Sequence, residues 1–246
     1  NLAVGNTVTL FVTVALVLMA VLLLAAGGIV SVMSTPEEAV AGTRQYLMIC
    51  FAGIPFITAY NIISSVFRGM GDSKSPMYFI IVACICNIAL DYVFIGAFSM
   101  GAAGAALGTT LSQVISVIIA LTTILHKKMI PGFRKADLKP QKEMLGKILK
   151  VGVPVCLQDG FIQISFLVIT VFANLRGIND AAAVGIVEKL IGILFLVPSS
   201  MLSTVSALCA QNMGAGKHDR SLKTLQYAVT IAVGFGLVAA SLMQFL

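Results

Sequence analysis

The stretch NTVTLFVTVALVLMAVLLLAAGGIVSVM, residues 6–33, holds no Asp, Glu, Lys, Arg or His. About 20 consecutive apolar residues are enough to cross the hydrocarbon of a bilayer as a helix. A β-barrel strand would show strict alternation instead, and this run shows none. In lipid every backbone N–H and C=O must be satisfied within the segment or by closure of a barrel, so a helix is the remaining reading. Six further runs of the same kind follow, at 45–67, 77–98, 101–125, 151–175, 181–209 and 221–246. The expected class is all-α, a polytopic membrane protein of about seven transmembrane helices.

Composition agrees. The 246 residues are 59% hydrophobic and only 11% charged, against about a quarter charged in soluble domains. The net charge of +6 does not mark a nucleic-acid binder, because the basic residues sit in short links with no interleaved aromatics to stack on bases. Thirteen of the sixteen Lys and Arg fall in three links, 68–74, 126–150 and 217–223. Cytoplasmic loops retain such residues, so the second, fourth and sixth spans end inside and Asn1 lies at the cytoplasm. The link HKKMIPGFRKADLKPQKEMLGKILK, 126–150, is the expected boundary between two helical bundles, 1–125 and 151–246, with an interfacial helix over 141–150. The five cysteines lie in apolar segments, and the Cys84/Cys86 pair lacks zinc spacing, so they read as small packing residues. The chain does not begin with Met and stops inside an apolar run, as expected of a fragment.

Asp91, in NIALDYVF (87–94), is the residue that demands an explanation. An ionised carboxylate in hydrocarbon costs several kcal/mol and needs a partner, a proton or an ion. Asn87 lies one helical turn earlier on the same face. Asp91 is 7 residues from the end of its span and Thr109 is 8 residues into the next, so each lies roughly 10–12 Å from the outer end. A carboxylate, an amide and a hydroxyl are then expected at one level between antiparallel helices. These hard oxygens suit Na⁺ or a proton, and the small residues of GAAGAALGTT, 101–110, let the helices approach. The bland alternative is a structural Asp bonded to a neighbouring helix.

Other polar residues carry less. Gly69-Met70-Gly71-Asp72 resembles the GxGD mark of intramembrane aspartyl proteases, whose chemistry needs two carboxylates sharing a proton. Asp72 lies in a basic link about 28 Å of helix from Asp91, so the two form no dyad. RGMGDSKSP reads as a cytoplasmic turn in which Asp or Ser caps the next helix. Gln158, Asp159 and Gln163 form a polar stripe after Pro154, suited either to lining a cavity or to interhelical hydrogen bonds. Together with Gln113 they are the candidates for a substrate cavity. Glu188 and Lys189 are sequence neighbours that do not face each other; a snorkelling Lys189 is the bland reading. His126 and His218 lie in Lys-rich links with no other ligand nearby in sequence, and neither is a metal or catalytic candidate. No nucleophile triad, Walker loop or CxxC pattern is present, so no enzyme activity and no cofactor beyond a coupling ion is expected.

Four segments, FRGMGDSKSPMYF (67–79), NIALDYVFIGAFSMGAAGAALGTTLSQ (87–113), VGVPVCLQDGFIQIS (151–165) and CAQNMGAGKHDRS (209–221), in this order and spacing, resemble the multidrug and toxic compound extrusion (MATE) family of cation-coupled antiporters. The resemblance covers essentially the whole chain, which looks like the third to ninth of twelve helices: four closing an N-terminal lobe, three opening a C-terminal lobe. It implies antiport of amphipathic organic cations against H⁺ or Na⁺ by a monomer in a bacterial plasma membrane, the bilayer being its other partner. In one branch the cation site uses an Asn and an Asp one turn apart on the fifth helix and a Thr on the sixth, which match Asn87, Asp91 and Thr109. That branch also uses an Asp on the first helix, which has no counterpart here. Another branch uses a Glu on the seventh helix, where this chain has Ile162 or Gln163. A lipid-linked precursor flippase of the same superfamily ranks below efflux, because a pyrophosphate cavity wants Arg and Lys and these lie mostly in the links.

Overall fold

The computed structural model describes residues 1–32, 37–127, 132 and 134–244. Seven long helices account for nearly all of them: α1 (Leu2–Val32), α2 (Glu37–Gly69), α3 (Lys74–Asp91), α4 (Gly101–Lys127), α5 (Lys142–Arg176), α6 (Ile178–Gly214) and α7 (His218–Met243). Each contains an apolar stretch long enough to span a bilayer. Large apolar side chains cover their outer faces, with Leu24 88% and Leu125 74% exposed. Such a surface would be untenable in water and is the ordinary one in hydrocarbon. The chain is an all-α multi-pass membrane protein.

The helices fall into two units, residues 1–148 and 149–246. In the first, α4 packs against both α2 and α3, and α2 also packs against α1. Its core is the cluster Ile63, Phe67, Phe79, Val117 and Ala120. Phe67 and Phe79 meet edge to face, with centroids 5.4 Å apart at 74°, a geometry worth about 0.5–1.5 kcal/mol beyond area burial. The cluster lies nearer the basic links than Asp91 does, so it fills the half of the α2–α3–α4 interface next to those links. In the second unit α6 packs against α7, while α5 packs against neither among the described residues.

The RGMGDSKSP turn joins α2 to α3 at the end of the first unit that also holds Lys127. Gly71, at φ 89°, makes the bend, and Asp72 caps α3: its Oδ1 accepts from the Ser75 N–H (3.0 Å) and its Oδ2 from the Ser75 hydroxyl (2.6 Å). Lys127, at the end of α4, donates to Asp72 Oδ2 (2.9 Å) and Ser75 Oγ (2.8 Å). The hydrogen bonds from Ser75, backed by the Lys127 ammonium, hold the Asp72 carboxyl well below the usual carboxylate range.

Two differences from the sequence expectation stand out. The helix expected separately over 141–150 is continuous with α5, because only Gly146 interrupts good helix formers between Lys142 and the span, and one glycine costs only about 1 kcal/mol. The preceding part of the link is not loose either. Residues Lys135–Leu138 form a short 3₁₀ turn seated on the start of α1: the Thr9 hydroxyl donates to Leu138 O (2.7 Å) and Gln141 N–H donates to Asn6 Oδ1 (2.7 Å). Asn6 is fully buried there. Positions 128–131 and 133 of the link lie outside the described residues.

Candidate cation site

Asp91 is the last α-helical residue of α3. The next six, Tyr92–Ala97, run in a π-helical turn, with the Phe98 N–H donating to Val93 O five residues back (3.0 Å). Such turns are rare, and they recur at functional sites because they rotate the side chains flanking them. Here the extra residue sits directly after the only acidic residue of α3. The chain then reverses through Ser99 and Gly101, both at positive φ, and α4 returns beside α3.

Gly108 of α4 is where the carboxylate lands. A Cβ on Gly108 would overlap Asp91 Oδ1 and lie 3.3 Å from its Cγ and 3.5 Å from Asn87 Nδ2. Only a glycine leaves the space that brings Asp91 and Asn87 against the α4 backbone. Both side chains are partly buried, yet Asp91 Oδ1 and Asn87 Nδ2 are shielded from solvent without a hydrogen-bond partner. A buried polar atom without a partner costs about 1–3 kcal/mol, more when charged. One acceptor and one donor are therefore left open side by side at membrane depth.

Beside them lies a cleft of about 170 Å³ lined by Asn87, Cys84, Thr109, Ser112, Gln113 and Ser116, with Tyr60, Ile80 and Ala83. Thr109 and Gln113 are on its wall, so the structure brings Asn87, Thr109 and Gln113 to one cavity. Asp91 Oδ1 is held against Gly108, one position before Thr109, and Thr109 is exposed on the cleft wall with Asn87. The hydroxyls of Thr109, Ser112 and Ser116 follow one face of α4. Ser112 donates to Thr109 O (2.7 Å) and Ser116 to Phe79 O (3.2 Å), where the apolar core closes the cleft. Sequence reasoning missed Ser112, Ser116 and Gly108; the i, i+3, i+7 spacing of the three hydroxyls was the available signal.

The remaining candidates are not gathered. Gln158, Asp159 and Gln163 are all exposed on α5, and Glu188 and Lys189 on α6. Among the described residues no three His, Cys, Asp or Glu side chains converge on a metal position.

A family model described as MatE matches residues 1–93 and 154–246. A probable multidrug resistance protein of Bacillus subtilis, YpnP, is 36% identical over 76% of this chain and 42% of its own length. A second from that organism, YoeA, is 30% identical over 92% of this chain and 50% of its own. The multidrug export protein MepA of Staphylococcus aureus is 27% identical over 88% and 48%. Among solved structures, the outward-facing conformation of a multidrug resistance MATE family transporter of the MOP superfamily superposes with a TM-score of 0.83 at 23% identity, over 100% of this chain and 55% of that one. A MATE crystal structure in complex with MaL6 gives 0.82 at 23%, over 97% and 54%. The chain spans about half the length of the curated relatives it matches, and on the family match and the identity to YoeA it belongs to the MATE family.

Proposed function

We propose that the protein to which this chain belongs is a secondary active exporter of amphipathic organic cations, driven by H⁺ or Na⁺ entering at Asp91. The observation that carries this reading is the pair of unpartnered atoms, Asp91 Oδ1 and Asn87 Nδ2, held against Gly108 beside a hydroxyl-lined cleft. A proton or Na⁺ at Asp91 removes the cost of the buried charge. Na⁺ would draw on the carboxylate, with Asn87 turning its amide oxygen inward and Thr109 approaching from the cleft wall; these are hard donors. Occupancy that differs in energy between two arrangements of the bundle shifts their populations, which is all that coupling requires. The names of YpnP, YoeA and MepA support a drug-like substrate class. Cell-membrane location and the cytoplasmic placement of the basic links belong to the same proposal.

The test is Asp91→Asn in the full-length protein. The neutral amide keeps the size of the side chain, so the protein should reach the membrane at its normal level. Drug accumulation in cells, measured with and without an ionophore, should then show gradient-driven efflux in the parent and none in the variant. Efflux at the parental rate would remove Asp91 from the mechanism, and accumulation indifferent to the ionophore in the parent would remove ion-driven transport itself.

A further inference from the structure

The geometry points to a binding site for a soft monovalent cation, Cu(I) or Ag(I), at the α6–α7 turn, built from Cys209, Met213 and His218. Cys209 and Met213 are four residues apart on α6, hence on one face and about 5–6 Å apart at Cβ. α7 folds back antiparallel, and its residues meet that face in adjacent rungs. His218 Nδ1 lies 3.2 Å from Met213 Sδ, and Cys209 donates through Sγ to Ser221 O (3.6 Å). All three side chains line one cleft, otherwise formed chiefly by Leu202, Val205, Leu222 and Leu225. A thiol, a thioether and an imidazole thus line one largely apolar cleft, the last two already in contact.

Donor softness and charge select the ion. Sulfur donors favour Cu(I) over the hard and borderline divalent ions. One Cys thiolate with neutral Met and His balances one positive charge, so the loaded site is neutral beside its Leu and Val wall, even though Met213 and His218 are themselves exposed; a divalent ion would leave a net charge there. No carboxylate lines this cleft. Asp219 lines the neighbouring cavity with Gly216, Lys217, His218 and Arg220. The turn belongs to a basic link on the cytoplasmic side by charge distribution, a compartment where thiols stay reduced and available. His218 reads as ligand-free in the sequence because its partner is a thioether, which a search for His, Cys and carboxylate neighbours passes over.

The test uses the purified full-length protein in detergent, titrated anaerobically with Cu(I) against a chromogenic Cu(I) chelator, with Cu-edge X-ray absorption on the loaded protein. The parent should hold one Cu(I) per chain with mixed sulfur and nitrogen ligation. Met213→Leu, which nearly conserves volume, and His218→Gln should each weaken binding about tenfold or more, and Cys209→Ser should remove it. A Cys84→Ser/Cys86→Ser variant should bind as the parent does. Retention of parental affinity by Met213→Leu and His218→Gln, sulfur-only ligation, loss of binding in the Cys84/Cys86 variant, or no binding by the parent would each overturn the assignment. Should Cys209→Ser fail to fold, the two milder variants decide the matter.

Discussion

Replacing Gly108 with Ala should damage the proposed cation site more than it damages the fold, and the structure sets the size of both effects. The added Cβ overlaps Asp91 Oδ1, while its approaches to Asp91 Cγ (3.3 Å) and Asn87 Nδ2 (3.5 Å) are tight to ordinary. The strain therefore falls on one carboxylate oxygen at the end of a side chain that can turn. Overpacking of this kind costs about 1–3 kcal/mol, and the better helix propensity of Ala returns about 1 kcal/mol. The net loss of stability should be about 0–2 kcal/mol. Coupling-ion affinity should fall about tenfold, equivalent to about 1.4 kcal/mol, because the oxygen offered to the ion is the one displaced. A double-mutant cycle with Asp91→Ala isolates the contact: without the carboxylate the nearest approach is gone and the Asn87 contact is at an ordinary distance, so most of the stability cost of Gly108→Ala should disappear. Equilibrium unfolding in mixed micelles should give an interaction energy of at least about 1 kcal/mol. Additivity within about 0.5 kcal/mol would refute the contact. Gly104→Ala is the control, since its Cβ would lie 3.1 Å from the Phe94 carbonyl carbon. That clash is with backbone, which Asp91→Ala cannot relieve.

Asp72→Asn keeps a capping acceptor for α3 but removes the charge facing Lys127, and should cost about 0.5–1 kcal/mol at pH 7 for this partly exposed pair. The folded-state pKa of Asp72 is depressed, so its contribution is present above the unfolded value of about 3.9 and is lost as pH falls through the lower folded value. The stability gap between parent and variant should accordingly narrow below about pH 4, and a gap that widened in acid would show the sign to be wrong. Asn6→Ala removes the acceptor of Gln141 N–H and leaves a part-buried donor open. Limited proteolysis between 132 and 141 should quicken by about tenfold in that variant, matching a loss of about 1.4 kcal/mol; an unchanged cleavage rate would mean the seat on α1 is not held by Asn6.

The spans were legible because an uncharged run such as 6–33 leaves the backbone no alternative to a helix in lipid. The side-by-side placement of Asn87 and Asp91 was equally legible, being a matter of helical period alone. The close approach to Gly108 was not, because neither a π turn over Tyr92–Ala97 nor a carboxylate set against a glycine leaves a period to read. Thr109 lines the cleft together with Asn87. Nor does any local pattern tie Asn6 to Gln141, because a hydrogen bond across 135 residues leaves no periodicity to read. Gln158, Asp159 and Gln163 satisfy the spacing rule for a polar stripe, yet spacing says which face they share and not what covers it.

The seating of Lys135–Leu138 on α1 changes what kind of connector the 126–150 segment is. Counted in sequence it is a segment of twenty-five residues. The stretch from Lys135 to Gln141 is held on the first helix. Gly5 admits the Asp137 carbonyl directly against the α1 backbone, Thr9 and Asn6 hold the chain on either side of Leu138–Gln141, and helix resumes at Lys142. The free contour between anchor and helix is close to zero, so the entropic cost of a long open loop does not arise. Mechanically this stretch is a short bracket bolted to the first helix.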